Sequence, residues 1–250
     1  IGIEQGGIHT FDVWEHLLRS LQHSADKEYP LELRLSALFH DISKPETRRG
    51  GGKNKQWTFF GHEVLGAKKT KKILEKLKYP TKIIEKTVSM IRWHMFFSDT
   101  EQISLSAVRR MIVNVGRENI WDLMNLRICD RIGTGRPKED PYRLRKYHSM
   151  IEEALRDPIS VGMLKIDGKR IMEITKITPG PKVGFTLHAL LEEVLEDPTR
   201  NTEDYLENKA KELITLPENE LKELGEKGKI SKEEADEIEI KKIRTQHRVK

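Results

Sequence analysis

The sequence contains a single cysteine and no long apolar run, and each of these absences excludes a class of protein. Cys129 has no second cysteine to pair with, so the chain is not a disulfide-stabilised scaffold and suits a reducing compartment. No run of 18 apolar residues is present, which argues against a membrane-spanning helix. We therefore predict a cytoplasmic protein with no membrane partner, and we interpret Cys129 as a small buried hydrophobe rather than a ligand or nucleophile.

Strand patterns are also scarce. The one β-leaning run, Met111–Val115, follows a helical segment and is itself interpreted as helical. Charged residues make up 34% of the chain, so much of the surface is charged and the apolar core is modest in size. The sequence predicts an all-α fold: a helical bundle, then a smaller helical region, then a charged tail.

Glycine and proline mark the predicted domain boundaries. Residues 133–142 break the helical pattern, which predicts a linker between a domain at 1–132 and a helical region at 143–216. Residues 217–250 are mostly Lys and Glu, which predicts a charged tail that is either exposed helix or disordered. The first residue is Ile1 rather than Met, so we expect the chain to be part of a longer protein.

The pair His40-Asp41 is the most informative feature of the chain. Four apolar residues before and after it recur at helical spacing, which predicts a helix over 31–44 with one buried face: Leu31, Leu35, Leu38 and Ile42. An imidazole beside a carboxylate is costly to desolvate at such a position. A metal ion, an ion pair or a hydrogen-bond network would each offset that cost.

Further histidines and an aspartate lie on or beside predicted helices. His16 lies in an amphipathic segment, His62 opens the next helical segment, His94 ends another, and Asp130 ends the segment from Leu123. His9 competes with His16 for the first position, and His16 is preferred because it lies within the apolar-periodic helix.

This order of residues resembles the HD superfamily of metal-dependent phosphohydrolases. The resemblance assigns metal binding to His16, His40, Asp41 and Asp130, and a second ion to His62 and His94, with Asp41 as the bridge. It also assigns catalytic roles to Asp41 and Lys44, the latter by contact with substrate phosphate. Imidazole and carboxylate ligands suit Mg, Mn, Fe, Co, Ni or Zn, and a helical bundle can enclose such an ion.

A closer resemblance covers most of the chain. Four segments are similar to the part of bacterial tRNA nucleotidyltransferases and related poly(A) polymerases that follows their catalytic core: Gly6–His16, Gly61–Glu63, Ile166–Gly168 and Pro179–Gly184. The last two segments lie, in that family, in the part that holds RNA. The family's nucleotidyl-transfer carboxylates lie in an N-terminal domain with no counterpart here, so nucleotidyl transfer is not expected of this chain. Lys169 and Arg170 also depart from the family, which often has an acidic residue after this glycine.

Positive charge is concentrated beside the His-Asp pair. From Lys44 to Val88 there are 13 Lys and Arg and 4 Asp and Glu, a local excess of +9 (13 − 4), whereas the whole chain carries +5. Such a segment suits a polyanion, although a solvated lysine face is equally compatible with the run after Lys68. The residues predicted to bind phosphate or RNA are Lys44, Arg48, Lys68, Lys69, Lys72 and Lys182.

Two functions follow as expectations. The first is a metal-dependent phosphohydrolase that acts on nucleotides or RNA 3′ ends in tRNA 3′-end processing, with tRNA or other RNA and a nucleotide as partners. The second is a non-catalytic tRNA-binding module that supports a nucleotidyltransferase domain elsewhere. Metal ligands that converge on one point favour the enzyme, and ligands that point apart favour the module.

Overall fold

The computed structural model describes residues 2–7, 9–50, 57–96 and 103–225, and helices dominate this part of the chain. The predicted all-α class is confirmed. The elements of the first part, in chain order, are α1 (Val13–Asp26), α2 (Leu31–Phe39), α3 (Lys44–Thr47), β1 (Arg49–Gly50), β2 (Trp57–Thr58), α4 (His62–Lys76) and α5 (Thr81–Trp93). The later helices are α6 (Leu105–Val115), α7 (Ile120–Gly133), α8 (Tyr142–Ala154), α9 (Gly168–Thr175), α10 (Pro181–Glu196) and α11 (Glu203–Leu213). Short 3-10 helices lie at Val161–Met163 and Pro198–Arg200.

The chain forms two compact units. The first unit consists of Ile1–Glu101 and Val115–His148, and the second unit of Gln102–Asn114 and Ser149–Lys250. The predicted run of helices and the predicted helical character of Met111–Val115 agree with the structure. The domain bounds given above remain a prediction.

Helix α1 shows how the sequence builds the first unit. Asp12 caps it, because the carboxylate accepts a hydrogen bond from the Glu15 N–H at 2.7 Å. Val13, His16 and Leu17 form its buried face, which packs against α2 and α7. Helix α2 also packs against α5 and α7, and α4 packs against α5. These five helices place their inward-facing side chains around one interior.

The helix predicted over 31–44 is wrong in length and in its buried face. Helix α2 ends at Phe39, His40 is its C-cap, and a turn leads to α3 at Lys44. Leu31 is 46% exposed, whereas Leu33 and Ala37 are fully buried. Leu35 is buried as predicted, but the buried face is centred on Leu33 and Ala37 rather than on Leu31 and Leu38. Asp41 therefore lies in a turn rather than on a helix.

The second unit has its own apolar core. Asp167 caps α9, Thr202 caps α11, and Pro181 lies at the first position of α10. The buried residues of this core are Ile166, Ile171, Ala189, Leu190, Val194, Leu206, Ala210, Leu213 and Leu221. Helices α9, α10 and α11 pack against one another around it.

The predicted tail is described only in part. Residues 218–225 are helical, and Leu221 is fully buried in the core of the second unit. Residues 226–250 lie outside the described residues.

Strand β1 pairs antiparallel with β2, with Arg49 opposite Thr58. Within the described part of the chain, no helix is both long and apolar enough to cross a membrane.

Candidate metal centre

The six residues predicted as metal ligands come together in the interior of the first unit. Each is almost inaccessible to solvent, and they form two groups whose nitrogen and oxygen atoms lie within 4.8 Å of one another. The first group contains His16, His40 and Asp130. The second contains Asp41, His62 and His94. They reach this point from α1, α4, α7 and the C-terminal ends of α2 and α5.

Asp41 lies between the two groups. Its Oδ2 is 3.1 Å from His16 Nε2 and 3.4 Å from His40 Nε2. Its Oδ1 is 3.2 Å from His62 Nε2 and 3.6 Å from His94 Nε2. One carboxylate thus presents one oxygen to each group, which is the placement expected of a ligand that bridges two ions.

Backbone carbonyls orient three of the imidazoles. Nδ1–H of His40 donates to Ala37 O at 2.9 Å, and Nδ1–H of His94 donates to Ile91 O at 2.7 Å. His62 donates in the same way to Phe59 O at 2.7 Å. Because each acceptor lies three residues before its histidine, this device is local to the helix end or turn. It fixes the tautomer that directs an Nε2 lone pair into the centre.

His16 is held differently. Its Nδ1 has no hydrogen-bond partner among the described residues, and its ring is positioned by the close approach of α1 and α7. A Cβ added at Gly133 would lie 2.1 Å from Ser20 Oγ and 3.0 Å from His16 Nδ1. Glycine at this position therefore allows α7 to pack directly against His16. The predicted helix end at Asp130 is three residues early, because α7 continues to Gly133.

The charges of the centre favour ionised carboxylates. Burial alone would raise the pKa of Asp41, but Lys44 and His40 outweigh it and hold that pKa well below its usual range. Burial likewise opposes ionisation of Asp130, but Arg127 and His40 hold its pKa well below the usual range. Burial lowers the pKa of His94 to about 4, so this imidazole is neutral near pH 7 and available as a ligand.

Lys44 is buried beside the bridging carboxylate. Its Nζ is 2.6 Å from Asp41 Oδ2 and 2.7 Å from Gln5 Oε1, and it lies 5.4 Å from the centroid of the Phe59 ring. An ammonium group has three donors, so one remains beyond these two partners. Lys44 thus lies beside the candidate metal ligands, and its contact with substrate phosphate stays a prediction; Gln5 was not predicted.

Arg127 and His9 are further neighbours that the sequence reasoning did not place at the site. Arg127 pairs with Asp130 Oδ2 and leaves Oδ1 to face His16 and His40. Its position three residues before Asp130 on α7 is a spacing that could have revealed it. The His9 ring lies edge-on to His16 with 5.6 Å between centroids, so the rejected alternative for the first ligand is a close neighbour of the chosen one.

The predicted phosphate-binding residues are not all equivalent. Arg48 lies directly after α3, and its guanidinium stacks on the Trp57 ring at 3.5 Å. Lys68 and Lys72 are exposed on α4, whereas Lys69 pairs with Glu46. Lys182 lies in the first turn of α10, in the second unit. Cys129 is fully buried, and burial raises its thiol pKa to about 12, which agrees with its interpretation as an inert hydrophobe.

The donor set fits divalent metal ions. His62 and His94 donate their Nδ1–H groups to carbonyls, and their Nε2 atoms lie 3.3 Å apart. Both Nε2 atoms face the Asp41 carboxylate, which outweighs burial and raises the pKa of His62 above its usual value. Acceptors at such distances repel one another unless protons or a cation lie between them. Buried imidazole and carboxylate ligands are typical of first-row transition-metal sites.

Comparison with known proteins agrees with this geometry. Residues 6–132 match the family model described as HD domain. The chain is 34% identical over 195 residues to a CC-adding tRNA nucleotidyltransferase of Thermus thermophilus. The aligned part is 77% of this chain and 43% of that protein. It is 31% identical over 196 residues to an A-adding tRNA nucleotidyltransferase of Deinococcus radiodurans, with 76% of this chain and 44% of that protein covered.

A more distant relative is the multifunctional CCA protein of Neisseria meningitidis, at 25% identity over 56% of this chain and 33% of that protein. The chain thus spans less than half the length of these relatives. No solved structure matches the chain. All six predicted ligands lie inside the family match, and they converge as the resemblance implies. The chain belongs to the HD domain family, in a form similar to that of tRNA nucleotidyltransferases.

Proposed function

We propose that this chain is a metal-dependent phosphohydrolase that acts on nucleotides or RNA 3′ ends in tRNA 3′-end processing. The observation that carries the proposal is the position of Asp41, with one oxygen toward each of two buried ligand groups. A non-catalytic tRNA-binding module would have no need of six buried, converging ligands, since their desolvation is costly. The names of the curated relatives support tRNA as the molecule on which the protein acts.

The candidate ligands would hold two metal ions. His16, His40 and Asp130 would hold one ion, His62 and His94 a second, and Asp41 both. A divalent ion, when bound, supplies Lewis-acid polarisation of the phosphoryl group.

Lys44 would stabilise the negative charge that develops on the phosphoryl oxygens with its remaining N–H donor. It also holds Asp41 ionised, and both effects need its ammonium at the present 2.6 Å from the carboxylate. Arg48, one turn along the chain from Lys44, would bind further phosphate charge.

Hydrolysis is tested with a panel of phosphoesters and the metal-loaded full chain. The panel includes bis(p-nitrophenyl) phosphate, nucleoside phosphodiesters and short RNA with a 3′-terminal phosphate. We expect turnover that EDTA abolishes and that Asp130→Asn reduces more than about 100-fold, because a ligand is lost.

Asp122→Asn is the matched control, since Asp122 lies on the same helix but pairs with Lys86 at 2.7 Å. Metal-dependent hydrolysis at this centre would be excluded if the wild type stayed active in EDTA and Asp130→Asn kept wild-type activity.

The exposed lysines of α4 would bind the RNA. Lys68, Lys72 and Lys76 follow one another at intervals of four residues and are all exposed, so they form one stripe on the helix. Each phosphate neutralised on single-stranded RNA contributes about 0.7 to the slope of log affinity against log salt. Changing all three to Gln should therefore reduce the slope by about 2. Lys69→Gln should change the slope less, because Glu46 already neutralises Lys69. Equal slopes in all variants and the wild type would show that the stripe is a solvated face that does not bind RNA.

A further inference from the structure

The C-terminal end of α7 carries three arginines next to the metal centre. Arg127 and Arg131 are four residues apart on this helix, so their side chains lie on one face. Arg136 follows within the next turn of the chain, after Gly135 reverses direction with a φ of +89°. Asp130, a predicted metal ligand, lies between the first two, so the cluster begins within one helical turn of the centre.

Two of the three arginines have no carboxylate partner among the described residues. Arg127 pairs with Asp130, whereas Arg131 donates from Nε to the Lys138 carbonyl at 2.7 Å. In the described ranges, neither Arg131 nor Arg136 forms an ion pair. The pKa of Arg131 lies below its usual value because the group is partly buried and because Arg136 and Arg127 are close.

Contacts within the fold account for Arg127 and for one donor of Arg131, but not for Arg136. One cation near a helix C-terminus interacts favourably with the helix dipole. A second and a third guanidinium repel the first, and Arg136 is half-buried without forming a hydrogen bond to any described residue. Planar guanidinium groups without carboxylate partners are suited to bidentate contacts with phosphate oxygens.

We infer that Arg131 and Arg136 bind a second phosphate group of the substrate, next along the chain from the phosphate at the metal centre. The inference rests on the proposed function, since it takes a phosphoester to occupy that centre. Arg127 is not included, because it holds Asp130 in place. The preferred substrate is then an oligonucleotide, whose successive phosphates can reach both positions, rather than an ester with a single phosphate.

Binding of a fluorescently labelled five-nucleotide RNA to the full chain in EDTA tests the inference without any hydrolysis. Arg136→Gln should reduce the slope of log affinity against log salt by about 0.7, the contribution of one single-strand phosphate. Arg136→Lys keeps the charge and should retain the slope. Arg117→Gln is the matched control, since Arg117 is exposed beside the opposite end of α7, about 20 Å away by the length of the helix.

A wild-type slope in Arg136→Gln, or an equal loss in Arg117→Gln, would overturn the inference, as would failure of the RNA to bind at low salt. A second comparison uses kcat/KM with metal present. Arg136→Gln should lower kcat/KM for the RNA at least tenfold more than for bis(p-nitrophenyl) phosphate, and equal losses would contradict a second phosphate site. If no phosphoester is hydrolysed at all, the proposed function fails while the binding experiment still decides this inference.

Discussion

The two units bury charged groups in opposite ways. In the second unit, Arg109 donates to Asp157 at 2.7 Å and to the Leu195 carbonyl at 3.0 Å. Arg110 likewise bonds Glu192 and Glu196, each at 2.9 Å. Each of these cations therefore has carboxylate or carbonyl partners of its own.

In the first unit, by contrast, the four imidazoles converge on one carboxylate, that of Asp41. Paired groups of the kind in the second unit hold helices together, and their removal destabilises the fold. Convergent groups of the kind in the first unit are costly to desolvate, and a bound divalent cation would offset that cost. Substitutions at the converging ligands of the first unit should accordingly change metal content and activity, whereas those at the paired arginines of the second unit should change stability.

The largest effect should come from the bridging carboxylate. Asp41→Asn removes the negative charge that both ligand groups share, so we expect affinity for divalent metal to fall more than about 100-fold and hydrolysis to be lost with it. Elemental analysis of the purified variant measures the metal directly. Arg110→Gln is the comparison from the second unit and should keep wild-type metal content. Equal metal content in Asp41→Asn and wild type would contradict the claim that the converging groups of the first unit bind metal.

The next effect concerns stability. Arg109→Met leaves Asp157 and the Leu195 carbonyl without their buried donor, because the Arg109 side chain is only 8% exposed. We expect the free energy of unfolding to fall by about 2–4 kcal/mol, less than the about 3–5 kcal/mol for a fully buried pair, because Asp157 is 26% exposed. Urea unfolding measures this change, and metal stoichiometry at saturation should stay as in wild type. If Arg109→Met lost metal but kept the wild-type free energy of unfolding, the structural role given to Arg109 would be wrong.

A smaller effect compares one glycine from each unit. At Gly133 an added Cβ would lie 2.8 Å from His16 O, so Gly133→Ala must push α7 away from α1. We expect a loss of about 1–3 kcal/mol from overpacking, together with weaker metal binding through the displaced His16. Gly184 in α10 has no atom within 4 Å of its added Cβ, so Gly184→Ala should stabilise by about 1 kcal/mol, the gain in helix propensity. Thermal unfolding of both variants provides the comparison, and equal effects would contradict it.

The resemblance to the HD superfamily assigns the candidate ligand set, and local sequence predicts the helix on or beside which each candidate lies. His16 lies on an amphipathic helix, and His62 opens α4 after Gly61 at a φ of +77°, so their places follow from neighbouring residues. The prediction of one helix over 31–44 was wrong because local periodicity does not show where the chain turns. Four leucine and isoleucine positions matched a helical period, but the chain turns at His40, and that turn is what places Asp41 between the two groups.

The remaining neighbours of the site depend on contacts between distant parts of the chain. Gln5 meets Lys44 across 39 positions in sequence, and His9 reaches His16 from the segment before α1. No local pattern indicates either contact. The grouping of residues 102–114 with the second unit has the same origin, since Arg109 and Arg110 bond partners 48 to 86 positions away.

Metal stoichiometry tests the central claim most directly. The full chain is saturated with Mn²⁺, freed of unbound ion and analysed by mass spectrometry, and anomalous scattering from a crystal then locates each ion. Two ions per chain, one beside His16, His40 and Asp130 and one beside His62 and His94 with Asp41 between them, are the predicted result. A single ion at saturation, or ions bound away from Asp41, would contradict it.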